Sequence, residues 1–168
     1  MFSSKGLEGA RVDEIVKAGA VNVRMLYHYF GSKEGLYAAV LAELFESTLF
    51  DRDEGEIASL DLKQRFSHVA KFLIKEPDAL RLLLWELASH DVQPNLGRQH
   101  EFQRLCAFLS NPKDLWAETG STDPVACAHR LVRQTAFALQ LNSVFGSKLD
   151  ADEAVEIIWS SFFSGTST

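Results

Sequence analysis

The sequence predicts an all-α protein in which an N-terminal helix-turn-helix head (residues 1–45) is joined to a larger helical body (residues 46–168). Apolar residues recur every three or four positions in most segments, and no run alternates apolar and polar residues as a half-buried strand would. Prolines and clusters of polar residues separate these segments. With 168 residues and 46% hydrophobic content, the chain can bury a sizeable core.

The first short helix of the head is predicted to begin near Val12. Val12, Ile15 and Val16 recur at helical spacing, so one apolar stripe can face inward while the charged residues between them stay in water. The Gly19-Ala20 pair then interrupts the helix. A tight turn is therefore expected before the next segment.

A second short helix is predicted to begin at Val23. Asn22 is a good N-cap because its side-chain oxygen can accept a backbone N–H of the following turn, an interaction worth about 1 kcal/mol. Leu26 and Phe30 lie one turn apart and are expected to pack inward. Ser32 is expected to cap the helix that follows. The side chains left for the other faces are Arg24, Met25, Tyr27, His28 and Tyr29.

Two short helices, a tight turn and the start of a third helix form the outline of a DNA-reading helix-turn-helix. Lys33 lies beside the N-terminus of the third helix. Backbone N–H groups together with a cation form a seat for phosphate, so we expect this position to contact a DNA backbone.

Together these features resemble the TetR (tetracycline-repressor-like) family of bacterial transcriptional regulators. The family pattern leads from a helix through a short turn into a recognition helix, followed by Tyr-x-x-Phe and Ser-Lys-Glu-x-Leu. The coincidence of apolar spacing, helix cap, aromatic pair and Ser-Lys is fairly specific, whereas any one of these alone would be weak. The matching residues are Ile15, Val21, Leu26, Tyr27, Phe30, Ser32, Lys33, Glu34 and Leu36.

The resemblance implies a set of DNA contacts on and around the second short helix. Some of these side chains would face bases or backbone in the major groove, and others would contact phosphates. The first set is Arg24, Met25 and His28; the second is Tyr27, Tyr29 and Lys33; Asn22 also lies at the helix entrance.

Two departures from the family pattern stand out. Where the family has Ala-Gly, this chain has Gly19-Ala20, so Ala20 is expected to occupy a left-handed position at a cost on the order of 1 kcal/mol. In addition, the family's first helix should precede Gly6, whereas only residues 1–5 are available, and Phe2 matches the last core residue of that helix. We expect residues upstream of Phe2 to exist in a functional form.

The charge distribution is uneven. The net charge of −6 opposes binding to nucleic acid, which requires a positive surface. Between Ile15 and Lys33, however, there is no Asp or Glu, while Lys17, Arg24 and Lys33 are cationic. The sequence therefore predicts a basic head on an acidic body. Taken without the helix-turn-helix pattern, the same three cations would be read as an ordinary solvated surface.

Several classes of protein are disfavoured. No apolar run approaches the roughly 18 residues of a membrane span, and the N-terminus lacks an export signal, so we expect a cytoplasmic protein without a membrane partner. Cys106 and Cys127 lack metal-binding or redox spacing and are interpreted as reduced thiols, with a disulfide or redox sensor as the alternative. No glycine-rich phosphate loop, nucleophile elbow or paired metal motif is present, so no enzyme and no cofactor are predicted.

The body is predicted to consist of helices throughout. Pro77 with Asp78 marks one helix start, because proline fits the first turn of a helix. The predicted helices span about residues 33–48, 62–75, 80–89, 102–109, 123–145 and 151–163.

The last two predicted helices are apolar around much of their circumference. Such helices can bury one surface within their own domain and another against a partner, although a fully buried hairpin in a monomer is the alternative. TetR-like proteins dimerise through their last two helices, and a dimer can place two recognition helices in successive major grooves of an inverted repeat. The residues predicted for this homodimer interface are Leu131, Ala138, Asn142, Ile158, Trp159 and Phe162.

The body also has more aromatic side chains than simple packing requires. The family resemblance suggests that some of them line a pocket for a small-molecule effector, whereas plain core packing is the alternative. A metal site at Glu86, His90 and His129 is a weaker possibility, because a Glu–His pair at helical spacing is more often a surface hydrogen bond. The predicted ligand-binding residues are Phe66, Trp85, Glu86, His90, Phe102, Trp116, His129, Arg133 and Phe137.

The sequence thus predicts a ligand-responsive repressor that binds double-stranded operator DNA as a homodimer. The alternative is a helical ligand-binding or protein-interaction dimer whose truncated head does not bind DNA.

Overall fold

The computed structural model describes residues 1–46, 56, 59–88, 100–110, 116, 123–145 and 150–164, and its regular elements there are all helices. The prediction of an all-α fold is confirmed for this part of the chain. The head and its connection to the body contain α1 (Phe2–Gly9), α2 (Val12–Ala18), α3 (Val23–Phe30) and α4 (Lys33–Glu46). The body contains α5 (Leu62–Lys75), α6 (Pro77–Ala88), α7 (His100–Ser110), α8 (Pro124–Phe145) and α9 (Ala151–Ser164).

Local signals set the limits of the helices in the body. Asp61 and Gln64 form a capping box before α5, in which the Asp61 carboxylate accepts the Gln64 N–H at 2.8 Å and the Gln64 side chain accepts the Asp61 N–H at 2.9 Å. Helix α6 begins at Pro77, which needs no hydrogen-bond acceptor in the first turn. The predicted helix at 62–75 is confirmed at both ends.

Helix α1 is bent at Gly6. This glycine has φ 67°, in the left-handed region that residues with a side chain rarely adopt. Upstream of the bend, the N–H groups of Ser4 and Lys5 both donate to the Met1 carbonyl, at 3.1 and 3.0 Å. Phe2 is buried, as expected for a core residue of this helix.

The head and the body share one hydrophobic core. Phe2 packs edge-on against Tyr37 of α4, with ring centroids 5.1 Å apart. Further along α4, Phe45 packs against Phe72 of α5 at 5.2 Å. Because these buried contacts are continuous, the core of the head runs into that of the body without a break.

In the body, α5 packs against α9, and α7 packs against α8. The Arg65 guanidinium is buried and donates to the carbonyl oxygens of Leu60 and Phe108, at 3.1 and 3.0 Å. Arg65 thereby ties the start of α5 to the C-terminal end of α7 and satisfies a carbonyl that the helix itself leaves unpaired.

Candidate nucleic-acid interface

The recognition helix α3 starts where the sequence predicts. The Asn22 side-chain oxygen accepts the Arg24 N–H at 2.8 Å, and Asn22 itself is extended, as an N-cap should be. This bond fixes the first turn of α3 relative to the turn that precedes it.

The turn between α2 and α3 has its left-handed residue at Ala20, with φ 50°, whereas Gly19 is right-handed with φ −83° and ψ −2°. The turn therefore keeps its shape although the glycine lies one position early. The Val21 N–H donates to the Val16 carbonyl at 3.0 Å, which closes the turn. A side chain at a left-handed position costs about 1 kcal/mol, so this turn is strained as the sequence predicts.

One side of α3 packs against the other helices of the head, and its remaining sides face solvent. Leu26 is the only residue of α3 that is buried. Phe30, expected to pack inward, remains 40% exposed because the surface next to it is open. The exposed side chains include all the residues of α3 predicted to contact DNA: Arg24, Met25, Tyr27, His28 and Tyr29.

The junction between α3 and α4 is fixed by two backbone features. Gly31 is left-handed with φ 75°, and its N–H donates to the Tyr27 carbonyl at 2.9 Å. The Ser32 hydroxyl accepts the Gly35 N–H at 3.0 Å, so the predicted cap of α4 is confirmed. Both ends of the recognition helix are thus held by hydrogen bonds.

Lys33 has a structural contact that the sequence did not indicate. Its ammonium donates to the Ala10 carbonyl at 3.3 Å, and the side chain is half-buried. This bond ties the N-terminus of α4 to the segment between α1 and α2. An ammonium has three donors, so the contact to Ala10 still leaves donors for a phosphate.

Two adjacent residues of α6 hold the head against the body. The Trp85 ring lies on Gly6, where a β-carbon would come within 2.9 Å of the indole, and the indole N–H donates to the Ser3 carbonyl at 3.3 Å. Next to it, the Glu86 carboxylate accepts a hydrogen bond from the Tyr37 hydroxyl, with the two oxygens 2.7 Å apart. Trp85 therefore contacts α1, and Glu86 contacts α4.

An open, mainly apolar groove of about 740 Å³ lies along the start of α1 and the adjoining side of α4. It extends from the underside of the head to α6. We call it the α1–α4 groove, and its lining includes Phe2, Ile15, Phe30, Leu36, Val40 and Leu82.

The predicted effector residues that the structure describes lie in three places. Phe66 and Trp116 are buried in the core of the body, where the Trp116 indole donates to the Leu109 carbonyl at 2.8 Å. Trp85 and Glu86 lie at the junction with the head. On α8, His129 and Arg133 line a surface depression, and Phe137 is 64% exposed. His90 and the side chain of Phe102 lie outside the described residues.

The predicted interface residues are largely used within the chain itself. Leu131, Ile158 and Phe162 are all buried, and the Arg130 guanidinium lies 4.6 Å above the Phe162 ring. All three belong to the hydrophobic core of the chain itself, where α9 packs against α5 and α8 packs against α7, and their part in a dimer stays a prediction. Ala138 and Trp159 are half-buried, and the Asn142 side chain is outside the described part.

Three exposed apolar residues of the same two helices, which we call the α8–α9 strip, were not among the predicted interface residues. Phe137 (64% exposed), Leu141 (38%) and Ile157 (49%) comprise this α8–α9 strip. Phe137 and Leu141 are one turn apart, on the side of α8 that also carries Arg130 and Gln134. Gln134 donates to the Ser161 hydroxyl of α9 at 3.1 Å, which places α9 beside this face.

Both cysteines are free thiols, as predicted. Burial raises the pKa of the Cys106 thiol to about 12, partly offset by the charge of Arg133. Within the described ranges, no group of three potential ligands is placed to hold a metal ion, and none of the helices there has the length and apolar character of a membrane span.

The head matches a known family. Residues 1–40 fit the family model described as bacterial regulatory proteins, tetR family. The HTH-type transcriptional repressor NicS of Pseudomonas putida is 30% identical over 93 residues, covering 51% of this chain and 42% of NicS. The HTH-type transcriptional repressor SCO4008 of Streptomyces coelicolor is 32% identical over 120 residues, covering 67% of this chain and 59% of SCO4008. The chain thus spans about half the length of these relatives.

The fold is also that of solved structures. A TetR-like transcriptional regulator from a Rhodococcus species superposes with a TM-score of 0.66 at 20% identity, covering 98% of this chain and 88% of that one. The TetR family regulator PfmR of Thermus thermophilus gives 0.59 at 17% identity, covering 96% and 90%. At these identities, the likeness concerns the fold.

Proposed function

Because this chain belongs to the TetR family of bacterial regulatory proteins, we propose that it is a transcriptional repressor that inserts α3 into the major groove of double-stranded DNA. The observation that carries the proposal is a recognition helix that is capped at both ends and exposed on its outward side. No Asp or Glu lies between Ile15 and Lys33, so the recognition helix and the turn before it carry no acidic side chain that would repel phosphate.

The second part of the proposal is a homodimer built on the α8–α9 strip. Large apolar side chains exposed on two adjacent helices are costly in water, and a second copy can cover them through a twofold axis. The dyad would present two copies of α3 to successive major grooves, which are about 34–36 Å apart. The operator would then be an inverted repeat.

The third part is a response to a small molecule. Support for it comes from the junction, where one helix of the body, α6, holds two helices of the head through Trp85 and Glu86. A ligand that binds better to one position of α6 would favour one head orientation, and couplings of this kind are typically about 1–3 kcal/mol.

Direct DNA binding tests the proposal. The chain is titrated against DNA flanking its own coding region and against a random-sequence duplex library. A second protein, with one amphipathic helix added at the N-terminus and designed to lie in the α1–α4 groove, is titrated beside it. We expect selective binding by at least one of the two proteins. If only the extended one binds, covering the groove is required for a functional head.

The competing function is a ligand-binding or protein-interaction dimer that does not bind DNA. The observation in its favour is the open apolar α1–α4 groove, which leaves one side of the head uncovered. Failure of both proteins to select any DNA, while both remain folded dimers, would favour this alternative over the repressor.

A further inference from the structure

The outward face of α3 carries an unusual combination of side chains. Leu26 marks the inward direction, because it is the buried residue of the helix. At 100° per residue, Arg24 and His28 lie nearly opposite Leu26, and Met25 lies beside them. Met25 is 51% exposed, and all three residues face solvent. Arg24 and Met25 belong to the N-terminal turn, the part of a recognition helix that contacts base edges.

Asn22 is the nearest amide that could recognise adenine, but its side chain is already engaged in capping the helix. An asparagine reads adenine in the major groove by accepting from N6 while donating to N7. In this head, the Asn22 side-chain oxygen already accepts the Arg24 N–H at 2.8 Å. An A·T pair at this end of α3 can instead be recognised by an exposed neighbouring side chain.

Met25 provides such a contact, because thymine carries a methyl group in the major groove that no other base of DNA has. The Met25 side chain is apolar and flexible, so it can pack against this methyl. Arg24 complements it with a planar fork of donors that matches the O6 and N7 acceptors of guanine.

We propose that each head recognises a guanine through Arg24 and a neighbouring thymine methyl through Met25. The inference rests on the proposed function, because it assumes that α3 enters the major groove. Since the two residues are consecutive on the helix, rising 1.5 Å per residue, the two bases lie within about one or two base pairs of each other, on the same or on opposite strands.

The experiment starts with duplexes that the wild-type protein, in whichever length binds, selects from a random library. Each thymine of the selected half-site is then replaced in turn by deoxyuridine, which removes only the methyl group. Burial of one methyl predicts an affinity loss of about fourfold at one position. The Met25→Ala protein should bind the thymine and deoxyuridine duplexes equally.

Val23→Ala is the matched control. Val23 is on the same helix and is 46% exposed, close to the value for Met25, but it lies near the inward side. This variant should keep the fourfold preference for thymine.

The guanine contact is tested by 7-deazaguanine, which lacks the N7 acceptor. This replacement should lower the affinity of the wild-type protein about tenfold and should leave the affinity of Arg24→Ala unchanged.

The outcomes distinguish failure of the proposed DNA binding from failure of the base contacts assigned to Arg24 and Met25. If no duplex is selected, the proposed function fails. If duplexes are selected, DNA binding stands. The assignment to Met25 is then overturned by any of three results: no deoxyuridine replacement lowers affinity, Met25→Ala keeps the preference for thymine, or Val23→Ala abolishes that preference. A 7-deazaguanine effect that persists in Arg24→Ala overturns the assignment to Arg24.

Discussion

The backbone of α4 at Gly35 lies against the end of α3, where a β-carbon at Gly35 would overlap the carbonyl oxygen of Phe30. This approach, together with the Ser32 cap, sets the angle between the recognition helix and the helix that leads into the body. The glycine is therefore needed for the close packing of two backbones, although its position inside a helix would otherwise favour alanine.

Gly35→Ala should destabilise the head. Relieving the overlap requires α3 and α4 to move apart, and overpacking of this kind costs about 1–3 kcal/mol. The measurement is urea denaturation followed by circular dichroism. Gly19→Ala is the control, because a β-carbon at Gly19 meets its nearest atom at an ordinary 3.4 Å. Equal stability of the two variants would mean that the α3–α4 junction adapts without cost.

Exchanging the residues of the α2–α3 turn should stabilise the protein. In the double variant Gly19→Ala/Ala20→Gly, glycine occupies the left-handed position and alanine the right-handed one, while the composition of the unfolded chain is unchanged. We expect a gain in unfolding free energy of about 1 kcal/mol. Denaturant titration of the double variant against wild type measures it. A loss of stability would contradict the assignment of strain to Ala20.

Tyr27→Ala and Lys33→Ala should each weaken DNA binding without affecting dimerisation. Loss of one phosphate contact by Lys33 should also lower the slope of log affinity against log salt by about 1. Binding is measured by fluorescence anisotropy at several salt concentrations. Because Lys33 also bonds to Ala10, its variant is checked by thermal denaturation. Unchanged affinity in both folded variants would remove these residues from the interface.

A charge on the α8–α9 strip should prevent association. Ile157→Glu and Phe137→Glu should give folded monomers in sedimentation experiments, because burying an unpaired carboxylate at an interface is unfavourable. Val125→Glu is the control: Val125 is 49% exposed, like Ile157, but lies on another side of α8. Charges at Ile158 or Phe162 should unfold the chain instead, since both residues belong to its own core. Dimers in both strip variants would exclude this interface.

The two thiols should differ in reactivity. The thiolate is the reactive form of cysteine, and a pKa of about 12 keeps Cys106 neutral at pH 8. Cys127 is more exposed. We expect a disulfide reagent to modify one thiol per folded chain and both in denaturant. Cys127→Ser should leave no rapidly reacting thiol, and fast modification of that variant would show that Cys106 is accessible.

Local features of this chain follow from its sequence, whereas its long-range contacts do not. The caps at Asn22 and Ser32 and the strain at Ala20 were predictable, because each depends on residues within four positions along the chain. The burial of Leu131 within its own chain was not predictable, because an apolar position on a helix does not indicate whether the core of the same chain or a partner chain covers it. For the same reason, Phe66 and Trp116 could not be distinguished from the lining of a cavity.

The contacts of Trp85 and Glu86 have a mechanical consequence. These neighbouring residues of one helical turn contact two different helices of the head. The Trp85 indole packs on Gly6 of α1, and the Glu86 carboxylate accepts a hydrogen bond from the Tyr37 hydroxyl of α4. A rotation of α6 at this turn would therefore displace α1 and α4 together. Loss of either contact would leave the head attached to α6 through the other one.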